Sequence, residues 1–355
     1  MRIAVAITLV LIGFAASAAL GLGRSAPSEY LVSKLVADVP GHARNADAAL
    51  VNAWGLAASP TGPWWTSNEA RGSSTLYSGA GRKQLLAVTV DGGPTGVAYY
   101  GGKGFRVVAG HTSDPARFIY ACEDGKLRAW TPTVPAGWST RTEVVVDEGG
   151  EAAVFRGVAL AGGRVFATDF HNARVDVYDS AWRRIRHPHA FEDKQIPSWY
   201  APFGVQAIGG HLFVTYVWRA PVDGNDAPTG GYVDEYDLDG RLVARVASME
   251  ALNAPWGLAL APRDFGRFGG DLLVGNFGDG RINACRKTDE GWARDGVLSS
   301  AGSKPIVVNG LWGIGFGNGG AAGPRDTLFF ASGPHDWRGV TELRVHGLLG
   351  SISAR

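Results

Sequence analysis

Six copies of one short phrase, each centred on a glycine, constrain this chain more than any other feature. They are Trp54-Gly55-Leu56-Ala57, Thr95-Gly96-Val97-Ala98, Arg156-Gly157-Val158-Ala159, Phe203-Gly204-Val205-Gln206, Trp256-Gly257-Leu258-Ala259 and Trp312-Gly313-Ile314-Gly315. The glycines recur at intervals of roughly 40–60 residues, which marks a repeat architecture. After most phrases comes a second strand ending in a polar turn, then a third. The clearest copy is Asp271–Asn276, a turn through Asp279 and Gly280, and a strand from Arg281. Arg164–Asp169 with Arg174–Tyr178, and Trp64–Asn68 with Ser74–Tyr77, follow the same plan. Four-stranded units of this length repeated radially describe a β-propeller, whereas a solenoid has a shorter and more even period. The predicted fold is therefore all-β, a propeller of six four-stranded antiparallel blades. The 51 glycines in 355 residues fit many short strands joined by tight turns.

The last repeat supplies three strands, Leu311–Phe316, Thr327–Ala331 and His346–Ser353, while Tyr30–Val36 has no blade of its own. That N-terminal strand is expected to complete the last blade and close the ring, removing an exposed edge. The second repeat holds five candidate strands, Thr95–Tyr100, Phe105–Ala109, Arg117–Cys122, Lys126–Trp130 and Glu143–Val146. Six blades or seven thus stays open around residues 95–146.

Arg2, the apolar run Ile3–Ala16 and the small-residue site Ala16-Ser17-Ala18 read as a signal peptide over residues 1–18. A short linker, 19–29, then leads to the propeller, 30–355. A retained anchor is the alternative for the apolar run; after cleavage no membrane contact is expected. The location is secreted, periplasmic or otherwise extracytoplasmic. Lys and Arg number 34 against 33 Asp and Glu, a net charge of +1, which argues against a nucleic-acid partner. Two cysteines, Cys122 and Cys285, fall in repeats on opposite sides of the ring, so no disulfide is expected.

Strand order fixes where chemistry can collect. The start of each inner strand and the second-to-third turn of each blade share one face, around the channel mouth. Asn52, Asn253 and Asn309 precede glycine phrases; Asn68, Asp169 and Asn276 close second strands; His171 follows in its turn. These seven are the candidate ligand or metal residues, with Arg156, Asp279, His335 and Asp336 in support. Rings of Asn and Asp oxygens suit Ca²⁺, which takes six to eight oxygen ligands. The same residues also favour turns, because their side chains bond local backbone. No Gly-x-Ser-x-Gly elbow, His-Glu-x-x-His or P-loop is present.

The phrases Asn52–Ala57, Pro60–Trp65, Ala116–Ala121, Tyr200–Phe203, Pro255–Pro262 and Leu272–Gly280 resemble a family of uncharacterised secreted bacterial β-propeller proteins. Some members of that family carry PEP-CTERM sorting tails. The resemblance runs from about Tyr30 to Ile352 and implies the fold and export, with no activity attached. No sorting tail is found here, and Cys122 and Cys285 stand where relatives carry Thr and an aromatic residue. More loosely, the repeats resemble lactonase, gluconolactonase and NHL-type propellers, whose lactonase members hold a metal near the channel mouth. Two functions follow as expectations. The first is an exported binding or scaffold module for an extracytoplasmic protein, glycan or small molecule; the alternative is a Ca²⁺-dependent hydrolase of lactone or ester type.

Overall fold

The computed structural model describes residues 28–219, 230–334 and 345–355. The signal peptide and most of the linker expected from the sequence lie outside them. Blade 1 is Ala53–Ala58, Trp64–Asn68, Ser73–Tyr77 and Lys83–Thr89, from inner to outer strand. Blade 3 begins with Phe155–Ala161 and Arg164–Asp169, blade 4 with Tyr200–Ile208 and His211–Trp218, and blade 5 with Pro255–Leu260 and Leu272–Asn276. Each inner strand packs against the next, and the sixth returns to the first. The molecule is a six-bladed β-propeller of four-stranded antiparallel sheets.

The glycine phrase has a steric cause. A Cβ on Gly96 would sit 2.7 Å from the backbone nitrogen of Val158, and one on Gly313 would sit 2.7 Å from the Trp54 carbonyl oxygen. Gly55, Gly157, Gly204 and Gly257 face the backbones of Thr95, Phe203, Trp256 and Trp312 in the same way. Six inner strands can crowd around one axis because each presents a bare Cα to the next blade. A polar stitch accompanies the contact: the Thr168 hydroxyl accepts from the Gly157 N–H at 2.7 Å and donates to the Phe203 carbonyl at 2.8 Å. Second strands lie between neighbouring blades, so Trp64–Asn68 and Leu272–Asn276 are buried at every position. The outer strand Lys83–Thr89 is mostly exposed.

Ring closure takes the expected form. Tyr30–Ala37 pairs antiparallel with Leu348–Ala354, from Tyr30 opposite Ala354 to Ala37 opposite Leu348. The Tyr30 ring wedges against Phe265 and Phe268 of blade 5 at 5.0 and 5.9 Å between centroids. Its hydroxyl donates to the Phe265 carbonyl at 3.1 Å. Closure therefore also clamps the blade 5–blade 6 boundary.

The second repeat resolves to one blade. Pro94–Tyr99, Phe118–Cys122, Lys126–Trp130 and Glu143–Asp147 form its sheet, and Arg106–Ala109 pairs with Thr112–Pro115 in a separate hairpin. The Trp182 indole donates to the Arg106 carbonyl at 2.8 Å, strapping this hairpin to blade 3. A hairpin outside the sheet has the same alternation as a blade strand, which is why the sequence left a seventh blade open. Both cysteines are free and buried. Burial pushes the Cys122 thiol up to about 12 and the Cys285 thiol up to about 11, so both are inert thiols packed as small apolar groups.

Candidate functional site

The face on which inner strands begin is here the upper face. Register places Ala53 opposite Asn68, Phe155 opposite Asp169 and Pro255 opposite Asn276, so the two sets of candidate positions do meet there. Most of their side chains, however, serve their own turns. Asp169 is fully buried; it accepts the backbone N–H groups of Val154 and Asn172, both at 3.2 Å, the Asn172 side-chain amide at 2.7 Å, and Arg174 at 3.2 Å. Asn68 is locked inside blade 1 by Thr66 at 3.0 Å and Thr75 at 2.8 Å. Asn276 donates to the Ala251 carbonyl and to Asp279, whose carboxylate also takes the Arg281 N–H. His171 offers its backbone carbonyl to Arg219.

Asn253 packs beside Gly278 with its side-chain oxygen unpartnered among the described residues. Asn309 is exposed on a small cavity between the blade 5 loop and blade 6. His335 and Asp336 lie outside the described residues.

Two of the candidates do converge, on residues the sequence reading did not select. Asn52, held at a left-handed φ of 48° that Asn tolerates, donates to the Glu69 carboxylate at 2.7 Å and accepts from the Trp312 indole at 3.0 Å. Glu69 also acts electrostatically on Glu123, across the blade 1–blade 2 boundary. Arg156, from blade 3, pairs with the far side of Glu123. Burial and the neighbouring Glu69 hold the Glu123 carboxyl above the usual carboxylate range, with Arg156 opposing them. The result is two polar pairs, Asn52–Glu69 and Glu123–Arg156, drawn from three blades.

Beneath these pairs the channel is stopped by aromatic rings. Trp54 stacks on Trp312 at 3.7 Å between centroids, and Phe277 stacks on the same indole at 3.8 Å. Trp256 meets Trp54 and Trp312 edge-on at 6.3 and 6.2 Å. The Arg156 guanidinium lies 5.4 Å over Trp54 and 5.6 Å over Phe170. Residues that follow the second strands are Glu69, Glu123, Phe170 and Phe277 in blades 1, 2, 3 and 5. Aligning the repeats on that step, one past the turn-forming Asn or Asp, would have exposed the pair.

The donor set does not suit Ca²⁺. Two carboxylates face each other, one already bound by Arg156, whereas the ion needs six to eight oxygens. Among the described residues no three His, Cys, Asp or Glu side chains are placed to share an ion. No helix among the described residues is long and apolar enough to cross a membrane.

No family model matches the chain. Among solved structures it is similar to a streptogramin B lyase (11% identity, covering 94% of this chain and all of that one, TM-score 0.53). It is likewise similar to the soluble aldose sugar dehydrogenase of Escherichia coli (13% identity, 92% and all, TM-score 0.56). At such identities the likeness shows the propeller fold alone. In sequence it is 32% identical over 347 residues to "Uncharacterized protein R648" of Acanthamoeba polyphaga mimivirus, covering 93% of this chain and 81% of the relative. "Uncharacterized protein L690" of the same virus is 30% identical over 307 residues, covering 82% and 80%. A single alignment spanning the blades of both partners carries the repeat order as well as its letters, and the chain belongs to the protein family of R648 and L690.

Proposed function

We propose that the protein is an exported binding propeller whose upper mouth takes a hydroxyl-rich ligand, such as the end of a glycan. The observation that carries this reading is the pairs Asn52–Glu69 and Glu123–Arg156 beside an aromatic cluster that includes the Trp256 and Phe277 rings. Both rings are half-buried, so each keeps an accessible part. Carboxylates and the Asn52 amide oxygen accept from hydroxyls, Arg156 donates to them, and aromatic faces cover the C–H surface of a sugar ring. Export rests on the apolar run 3–16 and the Ala16-Ser17-Ala18 site, and accords with the resemblance to secreted bacterial propellers.

The poor fit of the upper mouth to Ca²⁺ places the hydrolase reading second, and we derive no step through an ion. The test is a glycan array probed with the mature protein and with the Glu69→Gln, Glu123→Gln double variant. Binding by the parent that the double variant loses supports the reading; an array blank for both overturns it. N-terminal sequencing of secreted material should start near Ala19, and a start at Met1 refutes export.

A further inference from the structure

Arg219 stands on the upper face outside both pairs described above, and its place follows from the repeat. The Thr215 hydroxyl accepts from the Gly204 N–H at 2.8 Å, as Thr168 does from Gly157 in blade 3. Thr215 is thus the blade 4 counterpart of Thr168, and Tyr216 and Val217 are the counterparts of Asp169 and Phe170. The blade 3 strand ends at Asp169, whereas the blade 4 strand runs on to Trp218, with Val217 and Trp218 still paired to Ala201 and Tyr200. Arg219 follows at once, its backbone N–H bound to the Trp199 carbonyl at 2.8 Å. Its guanidinium crosses the blade 3–blade 4 boundary and donates to the His171 carbonyl. That carbonyl is one residue from Phe170, whose ring lies under the Arg156 guanidinium.

The chemistry of this guanidinium selects a ligand group. Arg219 is half-buried, and no carboxylate pairs with it among the described residues. A guanidinium has five N–H donors, of which the His171 carbonyl takes one. Its planar fork matches a carboxylate through two parallel N–H···O bonds. Glu69 narrows the choice. It too is half-buried and pairs with no cation among the described residues, and it comes from blade 1, which a six-bladed ring sets opposite blade 4. With Glu69 and Glu123 on the same face, a singly charged carboxylate meets less repulsion than a dianionic phosphate. We infer that the ligand of the upper mouth is an acidic sugar, whose carboxylate pairs with Arg219 while its hydroxyls meet Glu69 and Glu123. The inference rests on the glycan reading above and adds the class of sugar.

The probes are three oligosaccharides of one linkage, ending in glucuronate, in its methyl ester or in glucose. The ester keeps the shape of the acid and removes its charge. Titration calorimetry of the mature protein should find the acid bound about tenfold or more tighter than the other two. That margin should shrink as salt is raised. Arg219→Gln should lose the margin and bind all three alike, with the affinity the parent has for the glucose form. Arg294→Gln removes an exposed cation from the outer strand of blade 5 and should keep the margin. Circular dichroism and melting establish that each variant is folded.

A parent that binds the three alike, or an array that shows neutral glycans only, overturns this inference and leaves the glycan reading standing. A sugar phosphate bound more tightly than the glucuronate overturns it too. So does an Arg219→Gln variant, folded like the parent, that keeps the margin, or an Arg294→Gln variant that loses it. An array blank throughout overturns the glycan reading itself, and this inference with it.

Discussion

The upper ends of the inner strands are met by Asn52, Glu69, Glu123 and Arg156, whereas the lower ends of the same strands carry Ala58, Leu160, Ala207 and Phe316. Both mouths are built on one ring of glycines, so the backbone does not distinguish them. The difference lies in where the side chains come from. Glu69, Glu123, Phe170 and Phe277 belong to turns that follow second strands, and such turns tolerate exchange because they carry no ladder pairing. The lower wall is made of strand residues, whose identity is tied to packing between blades. Polar chemistry has therefore gathered at the end where turns lean over the axis, and the packed end stays uncharged.

The most drastic way to break this contrast is to break the ring that both mouths share. Gly204→Val puts a side chain onto the Trp256 backbone, where only strand separation can relieve it. We expect a loss of about 3 kcal/mol or more, measured as a fall in the urea midpoint. A variant as stable as the parent would show that the inner strands are not in close contact.

Next comes Asp169→Ala. The sequence suggested that this carboxylate serves a ligand or metal. Its four bonds to its own blade predict instead a loss of about 2 kcal/mol in thermal denaturation. Unchanged stability would return Asp169 to the list of ligand candidates.

A smaller effect sharpens the electrostatic side. Glu123 keeps its proton to higher pH in the folded chain than in the unfolded one. The native state thus holds more protons between those two values. The stabilisation is present at low pH and is lost as pH rises from the ordinary glutamate value, about 4.3, through the folded value. Gln cannot titrate, so as pH rises above about 4 the melting temperature of Glu123→Gln should fall less than that of the parent. Parallel curves would mean that Glu123 ionises normally. The smallest effect belongs to Cys122, which closes a second strand directly before Glu123. Buried and held protonated, it should ignore thiol reagents in the native protein and react once the chain is denatured; native reactivity would mean that the upper mouth opens.

Legibility followed physical constraint. Gly55, Gly96, Gly157, Gly204, Gly257 and Gly313 could be read because no other residue fits against the next backbone, so the letter itself repeats. Closure by Tyr30–Ala37 was legible from a missing fourth strand. The Asn and Asp residues at the ends of second strands lie opposite the starts of inner strands, yet their chemistry is mostly local turn bonding, as with Asn68 and Asp169. Glu123 escaped because its equivalents, Glu69, Phe170 and Phe277, share a place without sharing a letter. The hairpin Arg106–Pro115 misled the strand count because alternation does not say which sheet a strand joins.

Closure by Tyr30–Ala37 also sets the order of events during synthesis. The first strand of the domain to leave the ribosome is the last to find its partner, since Leu348–Ala354 is made at the other end of the chain. Until that pairing forms, blade 6 has three strands of its own and an open edge. The closing contact joins residues more than 300 positions apart (354 minus 30 is 324), and such long-range pairing is slow to form and leaves an edge open meanwhile. Export in the unfolded state, as proposed above, would postpone this step to the far side of the membrane, where both strands are present at once.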